Sequence, residues 1–124
     1  MHKITKGVLD LCRISNLPTV LSNCVGAWLI AGAALGDFNL LVLVLGAALF
    51  YSGGMVMNDV FDVSFDDEFR PDRPIPSGIV SKRLACILTL IFMVSGFMFM
   101  VLGGVQLFFV LLLSVVIIAY NFLH

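Results

Sequence analysis

The chain has 124 residues, with seven Lys and Arg against eight Asp and Glu, and its formal charge of -1 gives no electrostatic footprint for nucleic acid. Of its residues 60% are hydrophobic and only 12% charged, with a mean hydropathy of +1.09, which excludes the balance of a soluble domain and indicates a membrane protein. Ten of the charged residues fall between Asp59 and Arg83, Asp37 stands alone between Ile14 and Asn58, and none follows Arg83.

In chain order, Lys3, Lys6 and Arg13 precede a first apolar run from about Leu17 to Leu35. A cleaved signal peptide is a rival reading of this start, because the run passes the small residues Ala31-Gly32-Ala33. The run exceeds the roughly 7–15 residues of a secretory apolar core. Gly36-Asp37-Phe38-Asn39 is a turn into a second run, Leu40 to Met57. A third covers Leu84 to Leu102, and Gly103-Gly104 turns it into a fourth, about Gln106 to Leu123. Each run approaches the ~20 residues that a helix needs to cross a bilayer with its backbone satisfied internally. The runs are continuous rather than alternating, which argues against a transmembrane barrel. The expected fold is all-α: a polytopic membrane bundle of four transmembrane helices, with residues 58–83 as an acidic loop between two hairpins.

Orientation follows from the basic residues. Lys3, Lys6 and Arg13 precede the first span, and Arg70, Arg73, Lys82 and Arg83 lie between the second and third. Four spans bring both regions to one side, which the positive-inside rule makes cytoplasmic. The reading is an integral protein of the cell (inner) membrane, with both termini and the acidic loop in the cytoplasm. Cys12, Cys24 and Cys86 are an odd set at wide spacing and read as small packing residues rather than disulfide or metal ligands. His2 and His124, at the chain ends, are assigned no role.

The stretch Met57 to Gly78, MNDVFDVSFDDEFRPDRPIPSG, concentrates the acids Asp59, Asp62, Asp66, Asp67, Glu68 and Asp72. If the second helix continues past Met57, its 100° per residue sets Asn58, Asp62 and Asp66 in an i, i+4, i+8 row with Asp59 beside it, while Asp67 and Glu68 point elsewhere. Carboxylates sharing a face repel one another unless a cation intervenes. Hard oxygen ligands of this kind suit Mg²⁺, which binds through one or two carboxylates together with substrate phosphates. An ordinary charged helix end, with the acids answering Arg70, Arg73 and Lys82, is the plainer reading. Against it, Asn58 and Asp59 follow directly on an apolar span, at a depth where ionisable groups are usually functional. The aromatics Phe50, Tyr51 and Phe61 either line a pocket there or provide packing bulk, and Gly53 and Gly54 allow close helix packing.

Asn58-Asp59-x-x-Asp62-x-x-x-Asp66 resembles the first aspartate-rich motif, N-D-x-x-D-x-x-x-D, of the UbiA-type intramembrane prenyltransferases. The resemblance continues in Arg73-Pro74-Ile75-Pro76-Ser77-Gly78, followed by Val80-Ser81, which is similar to the R-P-[IL]-x-S-G-x-[IV]-S segment that follows the motif in that family. It implies transfer of a prenyl group from a polyprenyl diphosphate to a lipophilic acceptor inside the bilayer, with Mg²⁺ as cofactor. Asp62 and Asp66, supported by Asp59, would hold the metal against the diphosphate, and Asn58 would assist them. Arg73 would bind diphosphate oxygens. Arg13 and Asn16 resemble the R-x-x-N that opens many members, although Ile14 stands where the family often has Pro.

Family members have about nine helices and a second motif, D-x-x-x-D, whereas no Asp follows Asp72 in this chain. The resemblance therefore implies the N-terminal part of a longer nine-helix fold, with these 124 residues inactive alone. The Pro-Ile-Pro-Ser-Gly form looks closer to chlorophyll synthases and archaeal glyceryl-phosphate geranylgeranyltransferases than to 4-hydroxybenzoate enzymes. The competing reading is a non-enzymatic four-helix membrane protein that binds lipid phosphates or cations with the same acidic loop.

Overall fold

A computed structural model describes residues 1–123; His124, expected in the cytoplasm, lies outside the described residues. The fold is helical, with no strand among the described residues. It runs α1 (His2–Leu11), a 3₁₀ turn (Ile14–Asn16), α2 (Leu17–Ile30), α3 (Phe38–Phe61), α4 (Val63–Phe69), α5 (Lys82–Leu102) and α6 (Leu107–Leu123).

The end of the first span and both ends of the second depart from the sequence reading by two residues or more. α2 stops at Ile30 rather than Leu35 because Gly32, at φ +79°, closes a left-handed cap. The Gly32 N–H donates to the Leu29 carbonyl and the Ala33 N–H to that of Trp28, the paired bonds of a Schellman ending. Gly104, at φ +87°, ends α5 in the same way, through Gly104 to Val101 and Val105 to Met100. The second span starts at Phe38, where the Asp37 carboxylate accepts the Asn39 N–H at 2.9 Å, and continues to Phe61, so Asn58 and Asp59 belong to the helix. Nor are residues 58–83 a loop throughout, since α4 follows at once. α1 was not expected; it is too short and polar to span, but Gly7, Val8 and Leu11 lie along one side and pack inward.

α3 and α5 are long and apolar enough to cross a membrane, whereas α2 and α6 are apolar but shorter. At 1.5 Å per residue they reach about 21 Å and about 26 Å, against a hydrocarbon core of ~30 Å. Large apolar side chains such as Leu90, Val94, Leu112 and Val116 are exposed on α5 and α6. Apolar residues on every side of a helix suit lipid rather than water.

α3 is the centre of the bundle, packed against α1, α2, α5 and α6. Its closest neighbour is α5, which runs antiparallel to it: Gly46 faces Phe99 and Met100, and Gly53 faces Phe92 and Met93. From the other side, a methyl group added at Gly96 would lie 3.0 Å from the Phe50 nitrogen and 3.2 Å from the Gly46 oxygen. Without a hydrophobic driving force between helices in lipid, small residues that let backbones approach are what hold such a crossing. Gly54 faces α6 at Ile117, so the two glycines expected to permit packing serve different neighbours.

Gly96→Val should therefore destabilise the protein by about 1–3 kcal/mol, the usual range for overpacking, because the obstructing atoms are backbone and cannot rotate away. Thermal unfolding in detergent should show a lowered midpoint for Gly96→Val. Gly26→Ala, whose methyl meets nothing within 4 Å, should not lower it. An unchanged midpoint for Gly96→Val would refute the close crossing.

Candidate functional site

The last turn of α3 presents Asn58 and Asp59, and the helix then breaks at Asp62 (φ -80°, ψ 2°) before α4 carries Asp66. The break regroups the expected row. The Asn58 side-chain amide donates to Asp62 Oδ2. Asp59 and Asp66 are drawn together instead by one atom, Arg73 Nη1, which donates to Asp59 Oδ1 and to Asp66 Oδ2, each at 2.9 Å. Both carboxylates are deeply buried, Asp59 at 4% and Asp66 at 1% exposure. Two further guanidinium groups stand at the edge of the pair: Arg13 Nη2 lies 3.6 Å from Asp59 Oδ1, and Arg70 Nη1 lies 3.6 Å from Asp66 Oδ1. Arg70 also covers the Phe65 ring.

These charges sit on an apolar floor. Leu11 and Cys12 from the α1 end, Val56 from α3, Ile75 and Val80 from the following segment, and Ala85 from α5 form one buried cluster. Burial pushes the Cys12 thiol up from its ordinary value, which suits a packing group and not a thiolate ligand. The same floor accounts for the Arg73–Ser81 segment. Ile75 and Val80 bury their side chains, the Pro74 carbonyl accepts the Val80 N–H at 2.8 Å, and Gly78 turns between them at φ +74°. Ser81 then caps α5, its hydroxyl accepting the Leu84 N–H at 3.2 Å. The fastened segment is what delivers Arg73 to the carboxylates.

Arg13 reaches the pair from a left-handed backbone conformation, φ 50° and ψ 45°, uncommon for a residue with a side chain. Its Nε is buried and makes no hydrogen bond. The Asn16 amide donates to the Tyr51 hydroxyl at 3.0 Å rather than to a carboxylate. Asp67, Glu68 and Asp72 are exposed, as expected for the first two. Of the aromatics, Phe50 and Tyr51 line a cavity, whereas Phe61 is exposed and meets Phe122 edge-on.

That cavity, about 480 Å³, lies among α2, α3, α5 and α6. Its wall is mostly apolar, with Val20, Phe50, Met55, Leu113 and Ile117, and Asn58 joins it to the acidic site. Asn23 and Asn121 also line it. The sequence reading missed both: each stands alone in an apolar run, and only the helix packing turns them to the same space.

No three His, Cys, Asp or Glu side chains gather closely enough to hold a metal ion among the described residues. The oxygens nevertheless suit Mg²⁺ completed by a substrate. Asp66 Oδ1 is buried without a hydrogen-bond partner, and Asp62, four residues earlier in the chain, accepts the Asn58 amide. A site of few protein oxygens matches an ion that keeps waters and takes phosphate oxygens, rather than one caged by protein alone.

Comparison with known proteins bears on this arrangement. The UbiA prenyltransferase family profile matches residues 18–124. The digeranylgeranylglyceryl phosphate synthase of Methanothrix thermoacetophila is 37% identical over 90 residues, covering 72% of this chain and 34% of that protein. The synthase of the same name from Metallosphaera sedula is 41% identical over 106 residues, covering 73% and 37%. The 4-hydroxybenzoate octaprenyltransferase of Vibrio atlanticus is 38% identical over 73 residues, covering 56% and 26%. The chain thus spans about a third of the length of the curated relatives it matches. No solved structure gives a significant match. With one motif starting in the last turn of its central helix, the other in the segment before α5, and a profile match over most of its length, the chain belongs to the UbiA prenyltransferase family.

Proposed function

We propose that the whole protein transfers a prenyl group from a polyprenyl diphosphate to a lipophilic acceptor within the membrane, with Mg²⁺ as cofactor. One observation carries this reading: Asn58 lines the apolar cavity and, in the last turn of α3, directly precedes Asp59, where carboxylates and guanidinium groups converge. The cavity suits a hydrocarbon chain and the charged site its diphosphate. Asp62 and Asp66, with Asp59 in support and Asn58 orienting Asp62, would hold Mg²⁺. When bound, that ion stabilises the negative charge of the departing diphosphate.

Arg73 and Arg13 add cationic donors, for which phosphate oxygens are good acceptors. Asn16 acts through Tyr51, fixing a ring in the cavity wall, so its effect on diphosphate is indirect. Loss of diphosphate from an allylic carbon leaves a cation that water would quench, and the apolar wall keeps water away. The acceptor's nucleophilic atom then forms the new bond to that carbon and loses its proton. The named archaeal relatives favour a glyceryl phosphate lipid as acceptor and a geranylgeranyl group as the chain transferred.

The membrane frame is proposed as four spans, α2, α3, α5 and α6, in the cell membrane with the acidic site facing the cytoplasm. Gly7 of α1 packs on Ile79 and Val80, so the basic residues near the N-terminus and those from Arg70 to Arg83 lie at one end of the bundle, as four spans require.

Membranes containing the intact protein should transfer label from geranylgeranyl diphosphate to a glyceryl phosphate lipid but not to 4-hydroxybenzoate. Excess EDTA should abolish transfer and Mg²⁺ or Mn²⁺ restore it. Undiminished turnover in EDTA would refute the metal, and transfer to 4-hydroxybenzoate alone would refute the acceptor.

Asp62→Ala and Asp66→Ala should each lower kcat/KM by about a hundredfold or more, equivalent to at least about 2.7 kcal/mol. Asp67→Ala and Glu68→Ala, both exposed, should stay within a few-fold of the unmodified protein. Equal losses from all four would show that Asp62 and Asp66 are not distinct in function from the exposed acids.

Single cysteines introduced as Gly36→Cys, Glu68→Cys and Gln106→Cys, in a background lacking Cys12, Cys24 and Cys86, test the orientation. An impermeant maleimide added to intact cells should label positions 36 and 106 and spare 68. Labelling at 68 would invert the proposed topology.

A further inference from the structure

We propose that Arg73 is an internal counter-cation whose guanidinium stands where a divalent ion would neutralise Asp59 and Asp66, so that metal and diphosphate bind only weakly alone and strengthen each other. This rests on the metal-diphosphate reading above and adds a positioning role for one residue within it.

The two hydrogens of Arg73 Nη1 are both engaged, one by each buried carboxylate at 2.9 Å. A dication approaching that pair meets the Arg73 guanidinium and two oxygens already committed. Among the described residues no third His, Cys, Asp or Glu gathers with the pair closely enough to complete a metal site. Arg73 leaves the second oxygen of each carboxylate free of it, and Asp66 Oδ1 is buried without a hydrogen bond, with Arg70 Nη1 3.6 Å away. The pair is thus compensated by Arg73 but not saturated by it.

The residue is also built to let go. Its backbone is held by the Arg73 N–H to the Arg70 carbonyl and the Ser77 N–H to the Arg73 carbonyl, and Ile75 and Val80 anchor the segment in the floor. A guanidinium on a long stem can turn from carboxylates to phosphate without moving that anchor, and its planar fork suits phosphate oxygens. Arg13 and Arg70, the other cations facing the pair, stay at 3.6 Å from Asp59 and Asp66 and do not replace the short bonds. A diphosphate that draws Arg73 away leaves two buried carboxylates with only the longer contacts to Arg13 and Arg70, which raises their attraction for a dication. By linkage, the metal raises diphosphate affinity by the same factor.

The test uses the intact protein in detergent, with Mn²⁺ followed by loss of the free-ion EPR signal and inorganic pyrophosphate as the anion. A protein-free control corrects for the Mn²⁺–pyrophosphate complex. Unmodified protein should bind Mn²⁺ at least tenfold more tightly with pyrophosphate present. Arg73→Gln should bind Mn²⁺ alone at least tenfold more tightly than unmodified protein and lose most of the coupling, while Arg73→Lys, which keeps a charge, stays near the unmodified affinity. Adding Asp66→Asn to Arg73→Gln should abolish the gain. A role confined to holding the fold would weaken metal binding on substitution, so the gain itself is diagnostic. Arg73→Gln binding Mn²⁺ no more tightly, or tight binding that survives Asp66→Asn, overturns the proposal. Should Arg73→Gln fail to fold, pyrophosphate coupling near unity in the unmodified protein overturns it equally. Binding of Mn²⁺ that ignores both pyrophosphate and residue 73 removes this role and leaves the transferase reading intact. No binding of Mn²⁺ under any condition removes both.

Discussion

The ion bridge from Arg73 to Asp59 and Asp66 is the constraint on which this end of the molecule depends. Two carboxylates almost without solvent contact are tolerable only beside a cation, because burying an isolated charge costs several kcal/mol even after relaxation. Bringing that cation in requires the chain beyond α4 to fold back onto α3. The folded-back segment covers Val56 and Ala85 with Ile75 and Val80, and α1 closes over it through Gly7 and Leu11. Electrostatic compensation and apolar burial therefore fix the same segment from two sides.

The bundle below is organised on a different principle. Within lipid the apolar effect does not favour one helix pairing over another, so the α3–α5 crossing is held by close approach at Gly46, Gly53 and Gly96. α2 and α6 stand further out, and the space they leave against α3 is the apolar cavity. A tightly packed pair beside a looser one gives the molecule both a rigid strut for the acidic site and room for a hydrocarbon chain. The strut ends in Asn58 and Asp59, which makes the distance from cavity to charge a matter of one helical turn.

Strain is concentrated where these two regions meet. Arg13 adopts a left-handed conformation between α1 and the 3₁₀ turn, and it alone among residues with side chains does so in the described part of the chain. Such conformations persist only where surrounding contacts over-determine them. Here Leu11 and Cys12 are held in the floor on one side, and the Asn16 contact to Tyr51 fixes the other. The turn between them directs the guanidinium at Asp59.

The sequence by itself determined the class and the neighbourhood of the site. Continuous apolar runs have no stable place in water, so a membrane bundle was legible from hydropathy, and glycines marked its turns. The acids stood out because charge is rare elsewhere in the chain, and their linked motifs carried the family. What the tertiary structure decided was how those acids pair. A helical row from Asn58 to Asp66 is what periodicity dictates when only local geometry counts, but the break at Asp62 turns Asp66 inward, where an arginine seven residues on in the chain can reach it and Asp59 together. Periodicity could not show this, because the bridge depends on a chain reversal stabilised by Ile75 and Val80 against residues from α1, α3 and α5. The exposure of Phe61, the cavity roles of Asn23 and Asn121, and the tie from Asn16 to Tyr51 were hidden for the same reason: each is set by contact between helices distant in sequence, which one-dimensional spacing does not encode.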